Sequence, residues 1–131
     1  MARLSDNDRF DRGLAVRKDV LGAEHVERSL GSASDFSRPI QELVTEYCWG
    51  EIWTRPALDR RTRSLINLAM LTALGRQYEF GVHVRGAINN GCEIDEIREV
   101  LLQTAIYCGV PAAMESFRTA DQVLNELGVD H

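Results

Sequence analysis

From residue 6 to residue 127 the apolar side chains of this chain return every three or four positions, in runs punctuated by glycine and proline, and nowhere do they alternate with a period of two. That pattern buries one face of a helix and leaves no face for a half-buried strand, so the chain is expected to be all-α. The punctuation places the helices. Residues 6–20 carry Phe10, Leu14, Val16 and Val20 among charges and stop at Gly22. A short helix over 23–31 ends at Gly31, and the next is capped by Asp35 or Ser37 with Pro39 in its first turn, where a missing N–H is harmless. Ile40, Leu43, Val44, Tyr47 and Cys48 follow at helical spacing, and Pro56 breaks the chain.

Asp59 is the expected cap of a helix over 60–74, whose run Leu65 to Leu74 reads as core. Gly75 marks a joint or a close packing contact, and a helix over 76–90 stops at Asn90-Gly91. The last two helices cover 94–107, ended by Gly109, and 112–127, opened by Pro111 and stopped by Gly128.

At 131 residues the chain is expected to form one domain. Fifteen basic against twenty acidic residues leave a net charge of −5, which argues against nucleic acid and anionic membrane surfaces as partners. No apolar run reaches the ~18 residues a span requires. Charges at Arg3, Asp6, Asp8, Arg9 and Asp11 do not fit a signal peptide, so a cytoplasmic location is expected. Cys48, Cys92 and Cys108 are far apart and form no C-x-x-C pair, which supports neither a reactive dithiol nor a zinc site; no metal is expected. The central helices are apolar on most sides. Trp49, Trp53 and the 101–106 segment are therefore expected to be buried against another subunit of a homo-oligomer.

One segment carries chemistry. In a continuous helix, Arg76, Glu79 and His83 fall within about 60° of one another around the axis, on an otherwise apolar stretch. Charges in apolar surroundings are costly unless paired or used. Arg55, Arg60, Arg61 and Arg63, relieved only by Asp59, make a local basic patch on an acidic protein. Such a patch suits a small anion, or it is a set of solvated charges and intersubunit ion pairs.

The chain also resembles a known family in Gly-Leu-Ala-Val-Arg17-Lys-Asp-Val-Leu-Gly22, in Asp35-Phe-Ser-Arg-Pro39-Ile-Gln-Glu-Leu43 and in Trp49-Gly-Glu-Ile-Trp53-Thr-Arg-Pro56. Leu58-Asp-Arg-Arg-Thr-Arg63-Ser-Leu65, His83-Val-Arg85, Asn90-Gly91, Glu96-Ile-Arg-Glu99-Val-Leu-Leu and Tyr107-Cys-Gly-Val-Pro111-Ala-Ala continue it. Each piece is weak, but their order and spacing are similar to those of the carboxymuconolactone decarboxylase family over nearly the whole chain. The resemblance implies an alkylhydroperoxidase-D-like helical fold and a homo-oligomer, commonly a hexamer. It also implies cofactor-independent decarboxylation of 4-carboxymuconolactone, a small anionic lactone, to 3-oxoadipate enol-lactone in the protocatechuate branch of the β-ketoadipate pathway. Peroxidase members of the superfamily carry C-x-x-C-x-x-x-His; aligned on His83, Arg76 and Glu79 stand where those cysteines would be, which removes the dithiol chemistry. Glu93, where relatives tend to have a capping Thr, leaves the start of the following helix open by a residue or two.

For such a reaction the residues offer the following roles. His83 is the candidate proton donor, or else a satisfied core histidine. Glu79 orients it and favours its charged form, or pairs with a buried Arg76. Arg76 grips a carboxylate or stabilises an oxyanion. Arg60 and Arg63 are candidates for substrate binding. Glu51 beside Trp49 is a second acid/base group in an aromatic wall, or an ordinary helix-end carboxylate. Tyr107 donates a hydroxyl hydrogen bond, or simply packs. The rival readings are a peroxidase-related activity using Cys108 and a non-catalytic helical oligomeric binding module.

Overall fold

The computed structural model describes residues 6–131, all helix, turn and irregular backbone with no strand among them; Arg3, part of the charged opening, lies outside the described residues. The chain divides into two compact units, one ending at Leu58 and one beginning at Asp59.

The first unit holds α1 (Asp6–Leu21), α2 (Ala23–Gly31) and α3 (Arg38–Leu43), which runs without a break into a π-helical segment, Val44–Ile52. The widened turns close at Trp53, whose N–H donates to the Cys48 carbonyl five residues back at 3.0 Å. Hydroxyls that occupy carbonyls four residues back flank the segment: Thr45 on Gln41 and Thr54 on Gly50, each at 2.8 Å. The widening sets which face is buried. Regular helical spacing put Ile40, Leu43 and Tyr47 inward, but these are exposed; Thr45, Trp49 and Gly50 are the buried side.

Two glycines make the seam between α1 and the π segment. A Cβ on Gly13 would run into the Thr45 carbonyl oxygen and lie 2.7 Å from Gly50 N, and a Cβ on Gly50 would run into the Arg9 carbonyl oxygen. The two backbones therefore touch where side chains would otherwise hold them apart. Around this seam Arg17, nearly fully buried, donates to Thr45 Oγ1 at 3.1 Å and Gln41 Oε1 at 2.9 Å. Burial lowers its pKa from the ordinary arginine value. Trp49 and Trp53 stack with ring centroids 4.7 Å apart and are buried within the single chain, so they are not a face waiting for another subunit.

The second unit holds α4 (Arg60–Leu74), α5 (Gln77–Asn89), α6 (Ile94–Tyr107) and α7 (Val110–Leu127). Asp59 caps α4 as its sequence position suggested, accepting from Thr62 N at 2.7 Å. Gly75, at φ 71°, ends that helix, and the Arg76 N–H turns back to the Leu71 carbonyl at 2.9 Å. Arg76 thus closes α4 and stands at the cap of α5 with non-helical backbone. Glu93 settles the start of α6: its side chain accepts from the third helical N–H while Glu96 accepts from its own N–H, a reciprocal capping box.

The core is formed by Leu68, Phe80, Val84, Ile97, Leu101 and Leu124 with their neighbours. A buried hydroxyl pair, Thr72 and Ser116 at 2.7 Å, joins α4 to α7, and Gln77 and Thr119 extend it. The 65–74 run is core on one side only. Ile66, Met70 and Leu74 form an outward stripe that Tyr78, 75% exposed, continues, because packing uses only the Ser64–Leu68–Thr72 face. Of the 101–106 segment, Leu101 is buried while Leu102 and Ile106 face out.

Candidate active site on the α4–α5 hairpin

Antiparallel packing of α4 and α5 fixes which residues meet. Asn90 Nδ2 donates to Ser64 Oγ at 2.8 Å at one end, and about one turn along α4, two turns back along α5, Asn67 Nδ2 lies 3.4 Å from His83 Nδ1. Arg60, Arg63 and Asn67 fall within about 60° of one another around α4. Arg60 is exposed, while Arg63, Asn67 and His83 are half-buried. On α5, Glu79 stands one turn before His83 on the same face and is exposed. The result is an imidazole seated between two helices, with guanidinium groups on the neighbouring face and a carboxylate one turn away.

Arg76 departs from the expected stack. Because it caps α5 with ψ 76°, helical periodicity does not carry its side chain onto the Glu79–His83 face. It is exposed and forms no buried pair with Glu79, so that alternative falls. Within the basic patch, Arg61 is taken up by an ion pair with Glu96. Asp59, which starts this arginine-bearing helix, is held below the usual carboxylate range, chiefly by hydrogen bonds from Thr62 and further by the charge of Arg61.

Tyr107 is elsewhere in this unit. It lies 82% exposed at the end of α6, on a cavity of about 330 Å³ shared with Leu65, Ile66, Val100, Gln103 and Cys108. In the first unit, Trp49 is 3% exposed and covered by Trp53, a position inside the packing and not on a substrate wall. Glu51 is exposed, with an oxygen 3.8 Å from Arg9 Nε. Burial pushes the Cys48 and Cys92 thiols up, keeping them as thiols, and Cys108 is exposed and free. No group of three or more His, Cys, Asp or Glu among the described residues is arranged to hold a metal. No described helix is long and apolar enough to cross a membrane.

Reading the sequence alone missed Asn67. The signal is present, a carboxamide inside an apolar run and one turn beyond Arg63, but the spacing of the run by itself reads as core throughout.

This hairpin lies inside a match to the model of the carboxymuconolactone decarboxylase family that covers residues 38–122. The chain belongs to the carboxymuconolactone decarboxylase family. It is 42% identical over 126 residues to the 4-carboxymuconolactone decarboxylase of Acinetobacter baylyi, covering 96% of this chain and 94% of that protein. It is 48% identical over 118 residues to the nitrosuccinic acid decarboxylase npaB of Metarhizium robertsii, covering 90% of this chain and 82% of that protein. A 4-carboxymuconolactone decarboxylase of Pseudomonas putida matches a 48-residue stretch at 38% identity.

Proposed function

We propose that this family member is a carboxy-lyase that decarboxylates 4-carboxymuconolactone to 3-oxoadipate enol-lactone and CO2, in the protocatechuate branch of the β-ketoadipate pathway. The observation that carries the reading is the half-buried His83 beside an arginine-bearing helix face, in a chain similar over nearly its whole length to a 4-carboxymuconolactone decarboxylase. The substrate bears its departing carboxylate on the ring carbon γ to the lactone carbonyl. As that C–C bond breaks, its electron pair moves through the ring C=C to the carbonyl oxygen. The lactone is its own electron sink, so the step calls for no metal or organic cofactor.

The protein must hold a second carboxylate, stabilise charge on the carbonyl oxygen and deliver one proton. We assign the proton to His83 and the charge balance of its ring to Glu79. Carboxylate binding falls to Arg60 and Arg63, with the exposed Arg76 a further anion-binding candidate. Tyr107 and Glu51 are secondary candidates.

A second substrate has an observation in its favour, the nitrosuccinic acid decarboxylase similarity. Nitrosuccinic acid carries a nitro group beside one carboxylate, and losing that carboxylate leaves a nitronate, again with the electron pair on oxygen. The same groups serve both acids.

The exposed stripes Ile66, Met70, Leu74 and Tyr78 and Phe36, Ile40, Leu43 and Tyr47 support a homo-oligomer, which we take to be a hexamer acting in the cytoplasm. The decisive assay supplies each acid to purified protein and follows CO2 and product. Turnover of the lactone that His83→Gln lowers by about 10²-fold or more agrees with lost general acid catalysis. Wild-type turnover in that variant removes His83 from the mechanism. Preference for nitrosuccinate by kcat/KM reassigns the substrate, and chelator is expected to change nothing.

A further inference from the structure

The mechanism above uses His83 but not the group that holds it. Asn67 is a carboxamide on the inner side of α4, half-buried, with its Nδ2 turned to His83 Nδ1 at 3.4 Å. An amide NH2 only donates, so with this end of the carboxamide toward the ring the contact is a hydrogen bond when Nδ1 carries the lone pair and the proton of the neutral imidazole is on Nε2. We infer that Asn67 is the positioning residue of His83: it fixes the ring plane and holds the neutral ring as the Nε2–H tautomer, aiming the N–H away from α4. The inference rests on the decarboxylase reading for its use, but not for its geometry.

The neighbouring side chains on α4 and α5 offer different chemistry. Glu79, one turn earlier on α5, is exposed, and Arg63, one turn before Asn67, is a donor only. Helix α7 packs on the far side of α5, about 200° around the axis, where Thr119 and Val123 face Gly81 and Glu126 pairs with Arg85 at 3.4 Å. No charge on α7 therefore faces the ring from that side.

Asparagine also suits both charge states of the ring. Loss of CO2 leaves a dienolate that needs one proton at carbon. The charged ring gives it from Nε2, is left neutral with its proton on Nδ1, and exchanges protons with water to return to its starting state. While Nδ1 carries a proton, a half-turn of the Asn67 carboxamide presents Oδ1 as acceptor; in the resting state Nδ2 donates. Aspartate serves only the first arrangement and leucine neither.

The test is long-range proton–nitrogen NMR on 15N-histidine-labelled protein, with the His83 signals assigned by their loss in His83→Gln. Wild type is expected to show a neutral His83 with pyridine-like Nδ1 and protonated Nε2. Asn67→Asp is expected to move the proton to Nδ1 and raise the titration midpoint of His83, with the alkaline limb of kcat/KM, where the charged ring is lost, shifted the same way. Asn67→Leu is expected to lower kcat on the order of 10- to 100-fold with little change in KM, the pattern of a mispositioned group. A wild-type ring protonated on Nδ1 when neutral overturns the inference, as does an unchanged tautomer and midpoint in Asn67→Asp. Neither spectrum needs substrate, so a protein that decarboxylates neither acid would overturn the functional reading and still decide the role of Asn67.

Discussion

Alanine in place of glycine inside a helix ordinarily stabilises a protein by about 0.5–1 kcal/mol, because the unfolded chain loses freedom. At Gly13 the structure reverses that sign. The added methyl would collide with the Thr45 carbonyl oxygen and lie 2.7 Å from Gly50 N and 3.0 Å from Gly50 Cα, and all three are backbone atoms with no rotamer to yield. Relieving the Gly50 contact alone requires the two backbones to part by about 0.7 Å, since ordinary contact begins near 3.4 Å. Overpacking of this kind costs about 1–3 kcal/mol and sometimes more. Parting the seam also loosens the packing around Trp49. A net loss of about 1–2 kcal/mol is expected for Gly13→Ala after the propensity gain is subtracted.

Two other glycines supply the controls. Nothing lies within 4 Å of a Cβ at Gly31, and one at Gly81 meets Thr119 and Val123 methyls at 3.4 and 3.5 Å, an ordinary contact. Alanine at both is expected to be neutral or to stabilise by up to about 1 kcal/mol. Urea unfolding at one fixed protomer concentration measures the set. Trp49 and Trp53, the two tryptophans of the chain, report the first unit, and helical circular dichroism reports both. A Gly13→Ala protein as stable as wild type would refute the reasoning.

Ser116→Ala removes the hydroxyl that meets Thr72 and Gln77 in a buried site and is expected to cost about 1–2 kcal/mol. Adding Thr72→Val should cost less than the sum of the two single changes, and strict additivity in a double-mutant cycle would show the pair is not coupled. Arg63→Met is expected to lower kcat/KM for the dianionic lactone about 10- to 100-fold by removing a charge-assisted contact; an unchanged value takes Arg63 out of substrate binding. Asp59 has a folded-state pKa below its unfolded value, so its contribution to stability is complete above about pH 4 and is lost as pH falls through the folded pKa. Asparagine caps equally well without titrating, so Asp59→Asn should match wild type at pH 7 and lose less stability on acidification, as urea midpoints at pH 7 and pH 3 would reveal.

The all-helical class and most helix ends were legible in the sequence because they are local. Asp59 caps its own helix within three residues, and Gly91 takes the left-handed φ its position suggested, with Gly75, Gly109 and Gly128 also at positive φ. His83 was legible too, as a titratable group on an apolar stretch. What one-dimensional periodicity missed is whatever depends on a turn that departs from it or on a neighbour far along the chain. The π segment closes its turns over one more residue, so Thr45, Trp49 and Gly50 turn inward while Tyr47 faces out, and Ile40 and Leu43 in α3 before it are exposed although their spacing is helical. Arg76 leaves the predicted stack because the turn at Gly75 uses its N–H to close the preceding helix.

Asn67 met His83 only when two antiparallel helices brought positions sixteen residues apart into register. Local backbone preference, written residue by residue, determined the helices of this protein and where they stop. Which face each helix buries, and which polar group touches the imidazole, was decided by packing, because such contacts exist only once separate segments have closed on one another.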